Sequence, residues 1–287
     1  MRINSKYLIA LMILLMTMNL RAQEEAPSLI NYVPNANLVV VKINNAKDLK
    51  AALENHPLKS LINSDKAKEI LDETLQIFDK EDVDITVKEI EKKVIDKIFN
   101  SFTGEVFFTI SYKPAEVNKY DPRPRLICSI IAQADSGPFQ AFIKAGAKYA
   151  DKAVGQKTVT PQSHEGVEYT SLRVEDDLPG SAFVAFVNGV GICSNDEETC
   201  QKMIKAVVKK TPYENGLKTN EKVVSYFSAN AKKDILCFAD LIPYFKNEMA
   251  NEKSNTKTVM EMLKLDKLFQ INAAIDIDEK GDSFDVV

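Results

Sequence analysis

The residues able to do chemistry are few and stand apart in the chain. Only two histidines occur, His56 and His164. His164 directly follows Ser163, which sets a hydroxyl beside a base in the turn-rich stretch Ser163-His164-Glu165-Gly166. A serine nucleophile needs an imidazole within hydrogen-bond reach, a third group to orient that imidazole, and donors for the developing oxyanion. Adjacent residues on a turn do not face one another, and no third group or oxyanion donor accompanies them, so the stretch reads as a turn. His56 precedes Pro57, which stops a helix, and reads as a loop side chain. Asp79, Glu81, Asp82 and Asp84 crowd like calcium ligands but lack the alternating acids, turn glycine and closing glutamate of a calcium loop. They read as a solvated turn. A hydrolase would draw on Asp121, Asp176 or Asp177, which lie beside prolines or loops and read more simply as solvated charges.

Four cysteines remain, Cys128, Cys193, Cys200 and Cys237. Cys128 and Cys237 sit inside apolar strand-like runs, where a thiol behaves as a small hydrophobe. Cys193 and Cys200 are separated by a strand end and one turn of helix, and spacing alone does not satisfy disulfide geometry. A lone C-x₆-C pair is poor zinc spacing. Free, buried thiols are expected. No residue is assigned a catalytic, cofactor-binding or metal-ligating role, and no cofactor is expected.

The elements that would position such groups begin after a leader. Arg2 and Lys6 flank a fourteen-residue apolar run, Tyr7 to Leu20, followed by Arg21-Ala22-Gln23. A basic start, a short apolar segment and a small residue at the cut describe a secretory signal peptide over residues 1–22. The run is shorter than the roughly 20 residues of a spanning helix, and a retained N-terminal anchor is the alternative. No membrane span is expected after cleavage. Without the leader's three basic residues, 34 of the 37 remain against 41 acids, a net charge of −7. An acidic chain with no basic stripe is repelled by phosphate backbones, which excludes nucleic-acid binding. Apolar content of 45% and charged content of 27% are those of a globular protein.

The clearest architectural signal lies at 180–208. A strand, Ala182 to Val187, meets Asn188-Gly189, the residue pair of a two-residue type I′ hairpin turn. The return strand, Val190 to Cys193, leads to Ser194 and Glu197 at capping-box spacing. The helix after it carries Cys200, Met203, Ile204, Val207 and Val208 on one apolar stripe. Alternation and branched runs predict further strands at 38–43, 104–112, 125–133, 158–162, 167–174, 234–240, 269–277 and 283–287. Helices are predicted at 46–53, from Ser64 to Phe78, from Thr86 to Phe102, from Ser136 to Ala150, at 222–227, at 241–249 and at 259–263. The fold class expected is α+β, antiparallel sheet with helices packed on one face and a partial internal repeat. Residues 23–230 form the main α+β domain, and 231–287 start a second, repeated lobe that stops partway through its plan.

Tyr-Val-Pro-Asn-Ala-Asn-Leu-Val-Val-Val-Lys-Ile-Asn-Asn at 32–45, with the strand–Asn-Gly–strand–helix unit at 182–208, resembles a family of exported bacterial envelope proteins of unknown function. The resemblance covers roughly residues 30–287 and rests on structural motifs. It implies export and a repeated α+β architecture; it brings no activity, ligand or functional residue. The function expected is that of an exported, non-catalytic protein of the periplasm or cell surface, offering a binding or scaffolding surface to a protein, glycan or apolar ligand. Alternatives are a carrier of an apolar small molecule, whose pocket would lie between helices and sheet, and a hydrolase built on the scattered acids.

Overall fold

The computed structural model describes residues 28–36, 38–55, 100–113, 125–154, 159–172, 182–240, 270–277 and 283–286. His56, the acids at 79–84, Asp121, Asp176, Asp177 and the helices expected at 64–78, 241–249 and 259–263 lie outside the described residues, as does the helix from Thr86 up to residue 99.

Among the described residues the strands are β1 (Val39–Ile43), β2 (Phe102–Lys113), β3 (Arg125–Ala134), β4 (Val159–His164), β5 (Val167–Leu172), β6 (Ala182–Val187), β7 (Val190–Ser194), β8 (Ile235–Asp240), β9 (Gln270–Asp276) and β10 (Ser283–Val286). The helices are α1 (Ala46–Asn55), α2 (Ser136–Val154), α3 (Glu197–Lys209) and α4 (Glu221–Ala229). All ten strands join one sheet in the order β10-β9-β8-β1-β2-β3-β7-β6-β5-β4, each pair antiparallel. The class is α+β. The segment expected to open a second lobe supplies β8 to β10, and β8 pairs with β1 residue for residue from Val39↔Ala239 to Ile43↔Ile235. That stretch therefore continues the same sheet. Phe102, expected at the end of a helix, is the first residue of β2.

Successive residues on a strand face opposite sides, and both sides of this sheet carry cores. On the front, Phe107, Ile131, Ile192, Ala185 and Tyr169 form one cross-strand row that α3 covers with buried Cys200, Met203, Ile204 and Val207. Helix α4 adds Val223 and Phe227 to that layer. On the back, Phe139 and Ile143 of α2 and Ala46 of α1 close over Val106, Ala132 and Val184. Helices are expected on one face only; α3 and α4 lie on the front and α1 and α2 on the back, because both faces of the sheet carry apolar rows.

The N-terminal segment belongs to the front core. Leu29, Tyr32, Val33 and Ala36 are buried there, beside Leu217. Backbone bonds tie the segment to a distant stretch of chain: Tyr213 N–H to Asn31 O at 2.7 Å and Leu217 N–H to Val33 O at 2.9 Å. A Cβ on Gly216 would stand 2.9 Å from both Tyr213 O and Val33 O, so the approach requires glycine. Glu105 fixes the other side. Its carboxylate accepts from Leu29 N–H at 2.7 Å and from Ser28 Oγ, and pairs with Lys42 Nζ at 2.8 Å. Both ionic side chains are largely buried, and the Lys42 ammonium also lies 5.7 Å from the Phe107 ring centre.

Two local expectations come out differently. Ser194 does not cap α3; the cap is Asp196, whose Oδ2 accepts from Thr199 N–H at 2.9 Å and Thr199 Oγ1 at 2.7 Å. A carboxylate at the helix N-terminus also meets the positive end of the dipole, which a serine hydroxyl does less well. The tip at 163–166 contracts to a two-residue turn, Glu165-Gly166, with φ of 51° and 76°. The turn at Asn188-Gly189, with φ of 50° and 78°, is the type expected.

Strand β4 is a sheet edge. The pair that closes a two-residue hairpin, here His164↔Val167, exchanges hydrogen bonds, and alternate pairs do so after it. Pro161 is then one of the residues whose nitrogen faces outward, so it removes a donor from the free edge without cost to the ladder.

Two changes test this packing. Gly191 lies beneath Phe139, and a Cβ there would come within 2.4 Å of the ring. Gly191→Ala is expected to lower stability by about 1–3 kcal/mol through overpacking, read from the midpoint of chemical denaturation. Glu105→Ala leaves Lys42 and Leu29 N–H without their acceptor and is expected to cost roughly 3 kcal/mol by the same measurement. A loss below half a kilocalorie would show that the N-terminal segment is held by apolar packing alone.

Candidate functional site: apolar rows on the back of the sheet

Ser163 and His164 are successive residues of β4, so their side chains leave opposite faces of the strand. Ser163 is exposed and His164 half-buried. The pair is not a nucleophile and its base. Among the described residues, no three His, Cys, Asp or Glu side chains gather where they could hold a metal ion.

A buried polar row does exist, and no local pattern in the sequence announces it. Along the register across the front face, Asn272, Phe238, Val40, Thr109, Ser129, Ser194, Phe183 and Ser171 stand side by side. Ser129 and Ser194 share a hydrogen bond of 3.0 Å. Ser194 Oγ also donates to Cys128 O and accepts from Asp196 N–H. Ser194 thus links the sheet to the start of α3 rather than capping it. Thr109 is only 1% exposed and its hydroxyl has no hydrogen-bond partner. No base among the described residues stands beside these hydroxyls, and burial denies them a substrate. Near the start of α3, Tyr169 donates to Glu197 Oε1 at 2.7 Å and accepts from Gln201 Nε2 at 2.8 Å. Burial, then the bond to Glu197, pushes the Tyr169 phenol above its usual range. This network fastens α3 to β5.

All four cysteines are free thiols. Cys200 is buried under the front helix layer, 3.6 Å from Phe183 O, and burial pushes its thiol far up. Burial raises Cys128 and Cys237 as well, and raises Cys193 to about 11 with a further contribution from Cys128. Thiols held protonated at neutral pH are weak nucleophiles. Their placement is more informative: Cys128, Cys193 and Cys237 are half-buried on the back face.

That face carries the largest unassigned feature. Its upper row runs Ile275, Ile235, Ile43, Val106, Ala132 and Gly191, and its right half lies under α1 and α2. The row below runs Ala273, Cys237, Val41, Phe108 and Ile130. The next runs Ile271, Ala239, Val39, Ile110 and Cys128. Of these last ten residues, only Ile130 packs against the α1–α2 core. Ala239 is buried, as is Tyr112 next after Ile110 on the same face; the others are partly buried except Ile271, 46% exposed, and Leu126, one step beyond Cys128 on the same face, is 49% exposed.

No protein-family model matches the chain, and no curated protein matches it. Among solved structures, crystal form III of TP0453 is similar with a TM-score of 0.42 at 8% identity, over 90% of this chain and 77% of that one. Crystal form I of TP0453 gives 0.41 at 10% identity, over 92% and 79%.

Thr109→Val replaces a partnerless hydroxyl with a methyl of the same shape. The variant is expected to gain about 1 kcal/mol of stability by chemical denaturation. A loss of similar size would mean the hydroxyl is bonded in solution.

Proposed function

We infer that the chain is an exported, non-catalytic binding protein of the bacterial cell envelope, working in the periplasm or at the cell surface. The observation that carries this reading is the pair of wholly apolar rows on the back of the sheet, which reach solvent at Ile271 and beside Leu126. Export is supported by the basic-then-apolar start of residues 1–22 and by the acidic balance of the chain beyond it. Bacterial envelope membership rests on the resemblance of residues 32–45 and 182–208. No described helix is long and apolar enough to cross a membrane.

The finer reading is a carrier of an apolar small molecule, and the size of the patch favours it over a scaffold for another protein. Five strands at ~4.8 Å spacing and rows ~6.8 Å apart bound the patch at roughly 300 Å². A stable protein–protein interface takes about 800 Å² from each partner. A ligand of a few tens of heavy atoms needs no more than the patch provides, and it would displace water from side chains that gain nothing from it.

Native mass spectrometry of protein purified gently from envelope extract tests the reading. An adduct of a few hundred daltons, lost on denaturation, is expected. A clean unliganded mass, together with no partner retained on the immobilised protein, would remove it.

A further inference from the structure

We propose that Asn188-Gly189, at the tip of the β6–β7 hairpin, is a self-modification site at which the folded protein converts asparagine to aspartate and isoaspartate. The sequence holds two Asn-Gly pairs, Asn188-Gly189 and Asn215-Gly216. In each, a glycine without a side chain leaves its backbone nitrogen open to the preceding side-chain amide. Both asparagines are exposed, and both have positive φ, 50° at Asn188 and 52° at Asn215. Sequence and exposure therefore do not separate the two pairs. The peptide group that follows each asparagine does.

The glycine nitrogen must swing onto the asparagine Cγ to close a five-membered ring. Closure eclipses Cβ with that nitrogen about the Cα–C bond, and near-tetrahedral geometry at Cα then sets the asparagine ψ at about −120°. Asn188 and Gly189 are the two central residues of a type I′ turn. Rotating the peptide plane they share converts it to a type II′ turn, whose first central residue has ψ of about −120°. The rotation breaks no hydrogen bond, because among the described residues this peptide's N–H and C=O make none. Ala134 N–H stays on the Gly189 carbonyl, which belongs to the next peptide, at 2.9 Å.

Asn215 is held differently. The peptide after it donates Gly216 N–H to Tyr213 O at 2.9 Å and so closes a turn. Gly216 also bridges to Pro34, and Leu217 N–H beyond it donates to Val33 O at 2.9 Å. Rotating this plane breaks the closing bond and pulls on the anchor of the N-terminal segment. The fold thus leaves one pair free to react and restrains the other.

Water is the sole co-reactant, and nothing is oxidised or reduced. The Gly189 nitrogen gives its proton to solvent and bonds to Asn188 Cγ; the Cγ–Nδ2 bond breaks and ammonia leaves. Water then adds to a carbonyl carbon of the cyclic imide and breaks that carbon's bond to nitrogen. Opening at Cγ leaves aspartate. Opening at the backbone carbon leaves isoaspartate, which lengthens the main chain of a turn that has only two residues to give. Either product adds a negative charge at the hairpin tip.

The test follows both pairs in one sample. Purified protein is held warm in mildly basic buffer, folded or unfolded in guanidinium chloride, and digested at intervals. Mass spectrometry reads the exchange of amide for acid in each Asn-Gly peptide, and isoaspartyl-specific methylation scores the isomer. In the folded protein, conversion at Asn188 is expected to run roughly tenfold or more ahead of Asn215, as loss of the closing bond and its neighbours implies. In guanidinium the two rates are expected to become comparable. Asn188→Gly, which suits a type I′ turn, is expected to abolish conversion at the tip and leave Asn215 unchanged. Equal conversion of the two pairs in the folded protein, or faster conversion at Asn215, would overturn the proposal. So would a folded protein in which neither pair converts while both convert in guanidinium.

Discussion

The alternation of side chains along a pleated strand is the constraint on which the rest depends. Every residue step moves a side chain from one face of the sheet to the other, and the central strands are flanked on both edges. A strand such as β1 must therefore satisfy two environments at once. Val40 lies in the front core, whereas Val39 and Val41 look backward. The only strongly polar side chain on β1, Lys42, is tolerated because Glu105 meets it on the same face and an aromatic ring lies beneath it. That carboxylate also gathers the N-terminal segment. One residue thus neutralises a charge on a central strand and sets the lid of the front core in place, which is why Leu29 and Val33 are among the most buried residues of the chain.

The two faces differ in how they are closed. The front is sealed by elements far apart in sequence: the segment from Leu29, helix α3, the turn at Leu217 and helix α4. On the back, α1 and α2 cover part of the sheet, and Gly191 permits that closure by letting Phe139 lie against the backbone. Further along the same rows the side chains stay apolar, and Ala239 and Tyr112 there are buried. The row richest in hydroxyls lies on the buried front, where Ser129 and Ser194 bind a helix start to the sheet.

The features legible in the sequence were those that depend on near neighbours. Asn188-Gly189 needs positive φ at both positions, and nothing distant competes with that demand. The α3 stripe comes from a 3.6-residue period, and β1 from its unbroken branched run. Even so, a two-residue difference moved the cap of α3 from Ser194 to Asp196, because Ser194 is already held by the ladder and by Ser129 across the sheet. The segment Tyr32-Val33-Pro34 formed a recognisable motif with no visible purpose. Its purpose lies in Gly216, Tyr213 and Glu105, and such separations in sequence leave no periodic trace. The same reason hid the placement of β8 beside β1. The back-face rows were out of reach altogether: each takes one residue from each of five strands, and a row of this kind exists only once the register is fixed. The cysteines show the difference most plainly. Their burial in apolar strands was legible, but that Cys237 and Cys128 would stand on neighbouring ridges was not.

The spacing of the back rows is fixed by the backbone ladder, and β-branched residues such as Val39 and Val41 have little rotamer freedom left to lose. No charged or strongly polar side chain stands in the rows Ala273–Ile130 and Ile271–Cys128, so whatever packs there is held by shape and apolar area alone. The described polar residues hold helices, caps and the N-terminal segment in place, and by doing so they keep the strands in register.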